Sequence, residues 1–229
     1  MNQAPHGMRS AVGVLFSDLD REAADALLDA ATARQLADGM TVFHQGDEPT
    51  QLFQVVTGLV KLSRIDPNGG QTTLRFMSPG ELVGCVAVFQ QFPFPATATA
   101  AKPSSVLCWG AAQILDLIRR YPAISSNALK TVGDRAREMA ERVAELSAKG
   151  VEARIASVLL RLANQVGHVC SEGVEVAYPV TRNDMAEMTG VTYFTVSRVL
   201  SAWQKQGFVR LGRERILVVE PHRLTQIAN

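Results

Sequence analysis

Cysteine is scarce in this chain and badly placed for most of its roles. Among 229 residues there are three, Cys85, Cys108 and Cys170. They are widely spaced and odd in number, which excludes a disulfide framework and any C-x-x-C metal or iron–sulfur site. Histidine is equally thin. The four (His6, His44, His168, His222) are scattered, with no H-x-H pair and no Ser-His-Asp grouping, so the sequence points away from an enzyme. No apolar run reaches the roughly 18 residues of a membrane helix. Met1–Ser10 lacks the basic-then-apolar layout of a secretory signal. A cytoplasmic protein without a membrane partner is expected. Net charge is also missing: 23 Lys/Arg against 22 Asp/Glu leave +1, so bulk charge names no partner. What is present is a 47% hydrophobic composition, enough for one large domain or two ordinary ones.

Charge becomes informative locally. Between Thr192 and Arg215, five cations (Arg198, Lys205, Arg210, Arg213, Arg215) face one acid, Glu214, a balance of +4. Just before and within this segment, V-TRNDMAEMTG-VT-YFTVSRVLSAWQKQG-FV (180–209) spells two short helices. Thr181 is placed to cap the first, with Asp184 as its first-turn acid. Gly190 breaks it, Val191 fills the corner and Thr192 caps the second. Val196, Val199, Leu200 and Trp203 then form one apolar face at i, i+3, i+4, i+7. A small residue at Ala186 lets the helices approach, and Gly190 takes the left-handed turn. This is a helix-turn-helix followed by a basic β-hairpin, or wing. Base-reading candidates are Tyr193, Phe194, Ser197 and Arg198. Phosphate candidates are Thr181, Arg182, Thr192, Thr195, Lys205, Arg213 and Arg215. A module acting only through protein partners would not need the basic wing.

Upstream, residues 14–33 have a helical period, with a cap near Ser17 or Asp18 and Leu19, Ala23, Leu27 and Leu28 inward. From Arg34 to Gly110 the pattern becomes short β-like runs between glycine turns: Met40–Phe43, Leu52–Val56, Leu59–Ile65, Thr72–Met77, Leu82–Phe89, Thr97–Ala101 and Val106–Trp109. These suggest a β-roll or jelly-roll barrel. Helices are expected over Ala111–Arg120, about Ile124–Ala148, and Val151–Val166. The long one carries Leu129, Val132, Ala136, Met139, Val143 and Leu146 at spacings of 3 and 4, an a/d seam for a parallel dimer. The fold class is thus α+β. Residues 1–121 hold the N-terminal helix and the roll, 122–149 the dimer helix, and 150–229 the winged helix-turn-helix, with a hinge at Gly150.

Two stretches carry a resemblance. One is FHQGDEPTQLFQVVTGLVKL (43–62) with SPGELVG (78–84); the other is TRNDMAEMTGVTYFTVSRVLSAWQKQGFV (181–209). In this order, with a long helix between them, they resemble the CRP/FNR superfamily of bacterial transcription regulators over about residues 15–225. The resemblance implies a cyclic-nucleotide-binding-like roll. It further implies a homodimer that senses a small effector, binds a roughly palindromic promoter site on double-stranded DNA and contacts RNA polymerase.

The chain departs from that family at telling places. Cyclic-nucleotide binders supply a Glu for the ribose and an Arg for the phosphate where this chain has Cys85 and Pro95, with Ala96 following. Their adenine-binding hydroxyls fall at Met139 and Ala140. Cyclic AMP is therefore not the expected effector. No cysteine lies in residues 1–30, which argues against an iron–sulfur oxygen sensor. What remains is an apolar pocket candidate: Leu82, Gly84, Cys85, Val86, Phe89, Phe94, Pro95, Ala96 and Met139, with Leu74, Met77, Val88 and Phe92 nearby. It suits an unknown apolar effector, a haem (as in a nitric-oxide-sensing relative, with His44 or Cys85 as the axial candidates), or no effector at all. On the DNA side, the family's Glu three residues before Ser197 is Phe194 here. That predicts a half-site that keeps a guanine for Arg198 but replaces the usual G·C pair with a contact to a thymine methyl.

Overall fold

The computed structural model describes residues 13–177, 180–212 and 215–229. After a single 3-10 turn (Val14–Phe16), Asp20 caps α1 (Arg21–Asp29), its side chain accepting from the Ala23 N–H at 2.8 Å. The helix is therefore much shorter than the 14–33 period suggests, and its cap is Asp20, not Ser17 or Asp18. Asp18 sits at φ +54°, outside any helix. The chain then runs directly into β1 (Thr32–Leu36), a strand hidden by its polar composition.

The roll continues with β2 (Thr41–Phe43), β3 (Gln51–Thr57), β4 (Val60–Ile65), β5 (Gln71–Met77), β6 (Leu82–Val83), β7 (Thr97–Ala100) and β8 (Ser104–Gly110). Two four-stranded sheets result, ordered β1-β8-β3-β6 and β2-β7-β4-β5. β3 and β8 pair antiparallel with Phe53 opposite Cys108, and both are buried along nearly their whole length. Burial on both faces explains their largely apolar composition, which Gln54 interrupts in β3. Trp109, fully buried, donates its indole N–H to the Leu27 carbonyl at 2.8 Å, tying α1 to β8. Cys108 lies in this core, and burial pushes its thiol up to about 11, against a small opposing pull from Arg34.

The expected strand over Leu82–Phe89 stops at Val83. Gly84 takes φ +81°, and Cys85–Gln90 coils into the short helix α2. A side chain at Gly84 would also collide with the Phe94 ring, its Cβ lying 2.7 Å from Cε1. Composition favoured a strand; a glycine needing positive φ and a close approach decided otherwise.

Two long stretches match their sequence expectation: α3 (Ala111–Arg120) and α4 (Pro122–Ala148). The chain divides into two compact units. One comprises residues up to Ile65 with Phe76–Glu138, the other Asp66–Arg75 with Met139–Asn229. In the second, α5 (Val151–Val166) buries Ile155, Val158, Leu159 and Leu162 and packs on α6 (Arg182–Thr189) and α8 (Pro221–Ala228). After α5 comes a hairpin, β9 (His168–Cys170) and β10 (Gly173–Ala177). It joins β11 (Val209–Gly212) and β12 (Arg215–Val218) in a sheet ordered β11-β12-β10-β9. Among the described residues, no helix is long and apolar enough to cross a membrane.

Candidate nucleic-acid interface and effector region

The helix-turn-helix assembles from its caps inward. Thr181 accepts from the Asp184 N–H at 3.1 Å, and Asp184 accepts from the Thr181 N–H at 2.9 Å, a reciprocal capping box that starts α6. Gly190 ends it at φ +66°, satisfying the Ala186 carbonyl from the left-handed region that only glycine enters without strain. Thr192 caps α7 (Tyr193–Lys205) by accepting from the Thr195 N–H at 3.2 Å. Val196, Val199, Leu200 and Trp203 turn inward and are buried, as their spacing requires.

That burial fixes what α7 presents outward. Phe194 is 82% exposed and Tyr193 46%, and their rings meet edge-to-face at 5.9 Å and 85°. Arg198 and Lys205 are exposed on the same helix. Ser197 differs: it is half-buried, and its hydroxyl oxygen is enclosed without a hydrogen-bond partner. It is not presented beside Tyr193, Phe194 and Arg198. Thr181 and Thr192 serve as caps, and the Thr195 hydroxyl shares a 3.0 Å bond with that of Thr192. Arg182 is half-buried at the start of α6. On the wing, Arg210 pairs with Glu172 at 2.6 Å and Arg215 with Glu175 at 3.3 Å. All four side chains are substantially solvated, so such pairs are worth at most about 1 kcal/mol and can exchange for phosphate. Arg213 and Glu214 lie outside the described residues.

Two further arrangements in this unit were not legible beforehand. Thr73, buried on β5, donates its N–H to Glu187 Oε2 at 2.7 Å, and its hydroxyl lies 2.6 Å from Glu187 Oε2 and 3.0 Å from Asp184 Oδ1. The carboxylate that builds the α6 cap is thus also a tertiary anchor, and Arg142 of α4 reaches the neighbouring Leu74 carbonyl. Sequence marks Asp184 as a cap, but nothing marks Thr73. The second arrangement spans the α4–α5 junction at Gly150. Glu145 pairs with Arg161 at 2.6 Å and Lys149 at 3.4 Å, and Lys149 also donates to the Ser157 hydroxyl at 3.2 Å.

Burial alone would raise the Glu145 carboxyl, but the hydrogen bond and charge of Arg161, then Lys149 and Ser157, outweigh it. The net effect is to hold it below its ordinary 4.5. A carboxylate depressed on folding stabilises the protein above its unfolded pKa, and that contribution is lost as pH falls through the folded value. Glu145→Gln should therefore lower stability by about 1 kcal/mol at pH 7. The gap between wild type and variant should close as pH drops below 4.5, measured by urea unfolding at a series of pH values. A gap independent of pH would show that the charge of Glu145 is not what matters.

Most of the effector candidates on the roll gather around one core cluster that holds Leu82, Cys85 and Phe94, with Val86 and Phe89 packed against it. Leu82, Cys85, Phe94 and Ala96 are buried in the roll's core; Gly84, Val86 and Phe89 are half-buried; Pro95 is exposed. Met139 is exposed on α4 and belongs to the other unit. The core position is taken by the protein itself: Phe94 stacks on Phe43 at 3.7 Å and 13°, and Phe43 tilts against Phe53 at 5.8 Å. Haem finds no fitting ligand set among these residues. His44 is exposed on a turn whose N–H is held by Asp47, and Cys85 is buried at the start of α2. No group of three or more His, Cys, Asp or Glu able to hold a metal occurs among the described residues.

Residues 33–121 match the cyclic nucleotide-binding domain and residues 153–227 match the Crp-like helix-turn-helix domain. The "Cyclic AMP receptor protein" of Thermus thermophilus is 32% identical over 93% of this chain and 96% of its own length. The chain belongs to the CRP/FNR family of transcription regulators. Among solved structures, the Thermus thermophilus catabolite activator protein is 31% identical to this CRP/FNR regulator, with a TM-score of 0.55 over 94% of this chain and 98% of that one. FixK2 of Bradyrhizobium japonicum shares the fold, with a TM-score of 0.78 at 21% identity over 87% and 98%. A roll followed by a long helix and a C-terminal helix-turn-helix is the arrangement these relatives display.

Proposed function

We propose that this regulator is a cytoplasmic homodimer that binds a roughly palindromic promoter site on double-stranded DNA, works with RNA polymerase, and relays the state of its roll through α4 to α6 and α7. One observation carries the reading. The protomer exposes both surfaces such a machine needs: Tyr193, Phe194 and Arg198 on α7, and Leu129, Met139, Val143 and Leu146 along one stripe of α4. Exposed large apolar side chains at 3–4 spacing on a 27-residue helix call for a partner helix. A second copy presents the same stripe.

The effector is not cyclic AMP on this reading. Cys85, Pro95, Ala96, Met139 and Ala140 offer no carboxylate, guanidinium or hydroxyl to a ribose, phosphate or adenine. The Phe43–Phe94 stack favours a small apolar effector or effector-independent binding. The cyclic-AMP name belongs to the Thermus relative. Binding to duplex DNA should weaken steeply with salt, because Arg182, Arg198, Lys205, Arg210 and Arg215 on each of two protomers displace counterions. For 6–10 phosphate contacts the log–log slope should lie at about −5 to −9. Fluorescence anisotropy across a salt series measures it, and a flat slope would rule out a DNA interface here.

A further inference from the structure

The geometry points to the Tyr193–Phe194 pair as a sensor of the 5-methyl group of a pyrimidine in the major groove. It rests on the DNA-binding reading above and adds what α7 recognises. Phe194 lies at the N-terminal end of a recognition helix whose opposite face is fully committed to the core, so its ring cannot retreat inward. The paired rings of Phe194 and Tyr193, 82% and 46% exposed, are open to an occupant. The surrounding chemistry says which: Arg198 and Lys205 on α7 and Arg210 and Arg215 on the wing are all exposed cations, suited to a polyanion. Among the four base pairs, the one apolar group displayed in the major groove is the thymine methyl. Phe194 can neither donate nor accept a hydrogen bond to a base edge. Contact with that methyl is the discrimination open to it.

Tyr193 makes the contact rigid. Its ring meets Phe194 edge-to-face, an arrangement that restricts both rings before DNA arrives and so lowers the cost of ordering them. Position follows from helix geometry. Arg198 is one turn further along, a rise of about 6 Å, or about two base-pair steps of 3.4 Å. Because the helix lies at an angle to the duplex axis, that rise is an upper bound, and the methyl-bearing pyrimidine lies within about two base pairs of the guanine that Arg198 contacts. Because 5-methylcytosine carries the same methyl in the same place, the pair recognises a methylated cytosine at that step better than an unmethylated one.

The test starts from duplexes enriched by the full-length protein from a random pool. Each thymine of the half-site is replaced by deoxyuridine, which removes the methyl and leaves the Watson–Crick edge and O4 unchanged. One thymine, within about two pairs of the invariant guanine, should then lose about fourfold affinity per half-site and about fifteenfold for both, the transfer value of one methyl group. Cytosine placed there should bind weakly and recover by the same factor when 5-methylated. Phe194→Ala should bind the thymine and deoxyuridine duplexes equally, with an unchanged melting temperature because the ring is exposed. An enriched site at which no deoxyuridine changes affinity by more than about twofold overturns this proposal alone; so does an equal penalty in Phe194→Ala, or DNA bending by the aromatic pair without methyl dependence. A pool with no enriched site overturns the DNA reading and this proposal with it.

Discussion

Val143→Glu should convert the dimer to a monomer and lower operator affinity by more than about 100-fold. Val143 is 65% exposed in the protomer and sits between Met139 (68%) and Leu146 (51%) on the α4 stripe. Because a two-fold interface uses each position twice, the substitution places two carboxylates across the seam from one another. Burying an unpaired charge costs several kcal/mol. That cost falls on an interface whose individual apolar side chains contribute about 1.5–3 kcal/mol each. Glu141 and Glu145 lie two residues to either side, so the new charges add to an acidic stretch. The protomer itself should remain folded, since the wild-type side chain is solvated there. Light scattering should report half the wild-type mass, with the circular dichroism spectrum retained. Operator affinity falls because one recognition helix must then bind without its symmetry mate. A dimer of unchanged stability would show that the stripe packs against something else.

The second large effect is at Arg198. It is exposed on α7 and, among the described residues, makes no ion pair, so its five donors are free for guanine O6 and N7. Arg198→Ala should cost about 1–3 kcal/mol per half-site, which for two half-sites is roughly 30-fold to 10⁴-fold in Kd. The loss should be specific. Sites selected by the variant should lose preference at one base position in each half-site and keep the others. Lys205→Ala makes the contrast: affinity should drop evenly across sequences and the salt slope should shrink, because a phosphate contact carries no base information. If wild type and Arg198→Ala select the same consensus, Arg198 is not the guanine reader.

The parts of the fold legible in the sequence are those whose causes are local. The helix-turn-helix is set by Thr181, Asp184, Gly190 and Thr192, each acting within four residues of itself, and its buried face follows from a 3.6-residue period. The same is true of α3, α4 and α5. Apart from the start of α1, which the local Asp20 cap sets, the misreadings involve tertiary causes. Cys85–Gln90 has strand-like composition, yet Gly84, pressed against Phe94, turns it into a helix. β1 has almost no strand character and exists because β8 offers it a partner. The hairpin β9–β10 and helix α8 complete a sheet and a core that no single window reveals. At the site, exposure of Phe194 and Arg198 follows from the periodicity. The anchoring of α6 by Thr73 does not, because it depends on residues more than a hundred positions apart, and nothing in the local pattern marks the enclosure of Ser197. The effector candidates of the roll share a location, but it is a core filled by the stacked Phe43 and Phe94 rings, which composition alone does not reveal.

The most direct measurement of the central claim is selection of binding sites from a random DNA pool by the full-length protein, followed by sequencing. The expected result is a two-fold symmetric consensus, with half-site centres about 10–11 base pairs apart and a guanine and a thymine in fixed register in each half. An unenriched pool, or a consensus with a single unsymmetric half, would contradict a dimeric reader that uses α7 of both protomers.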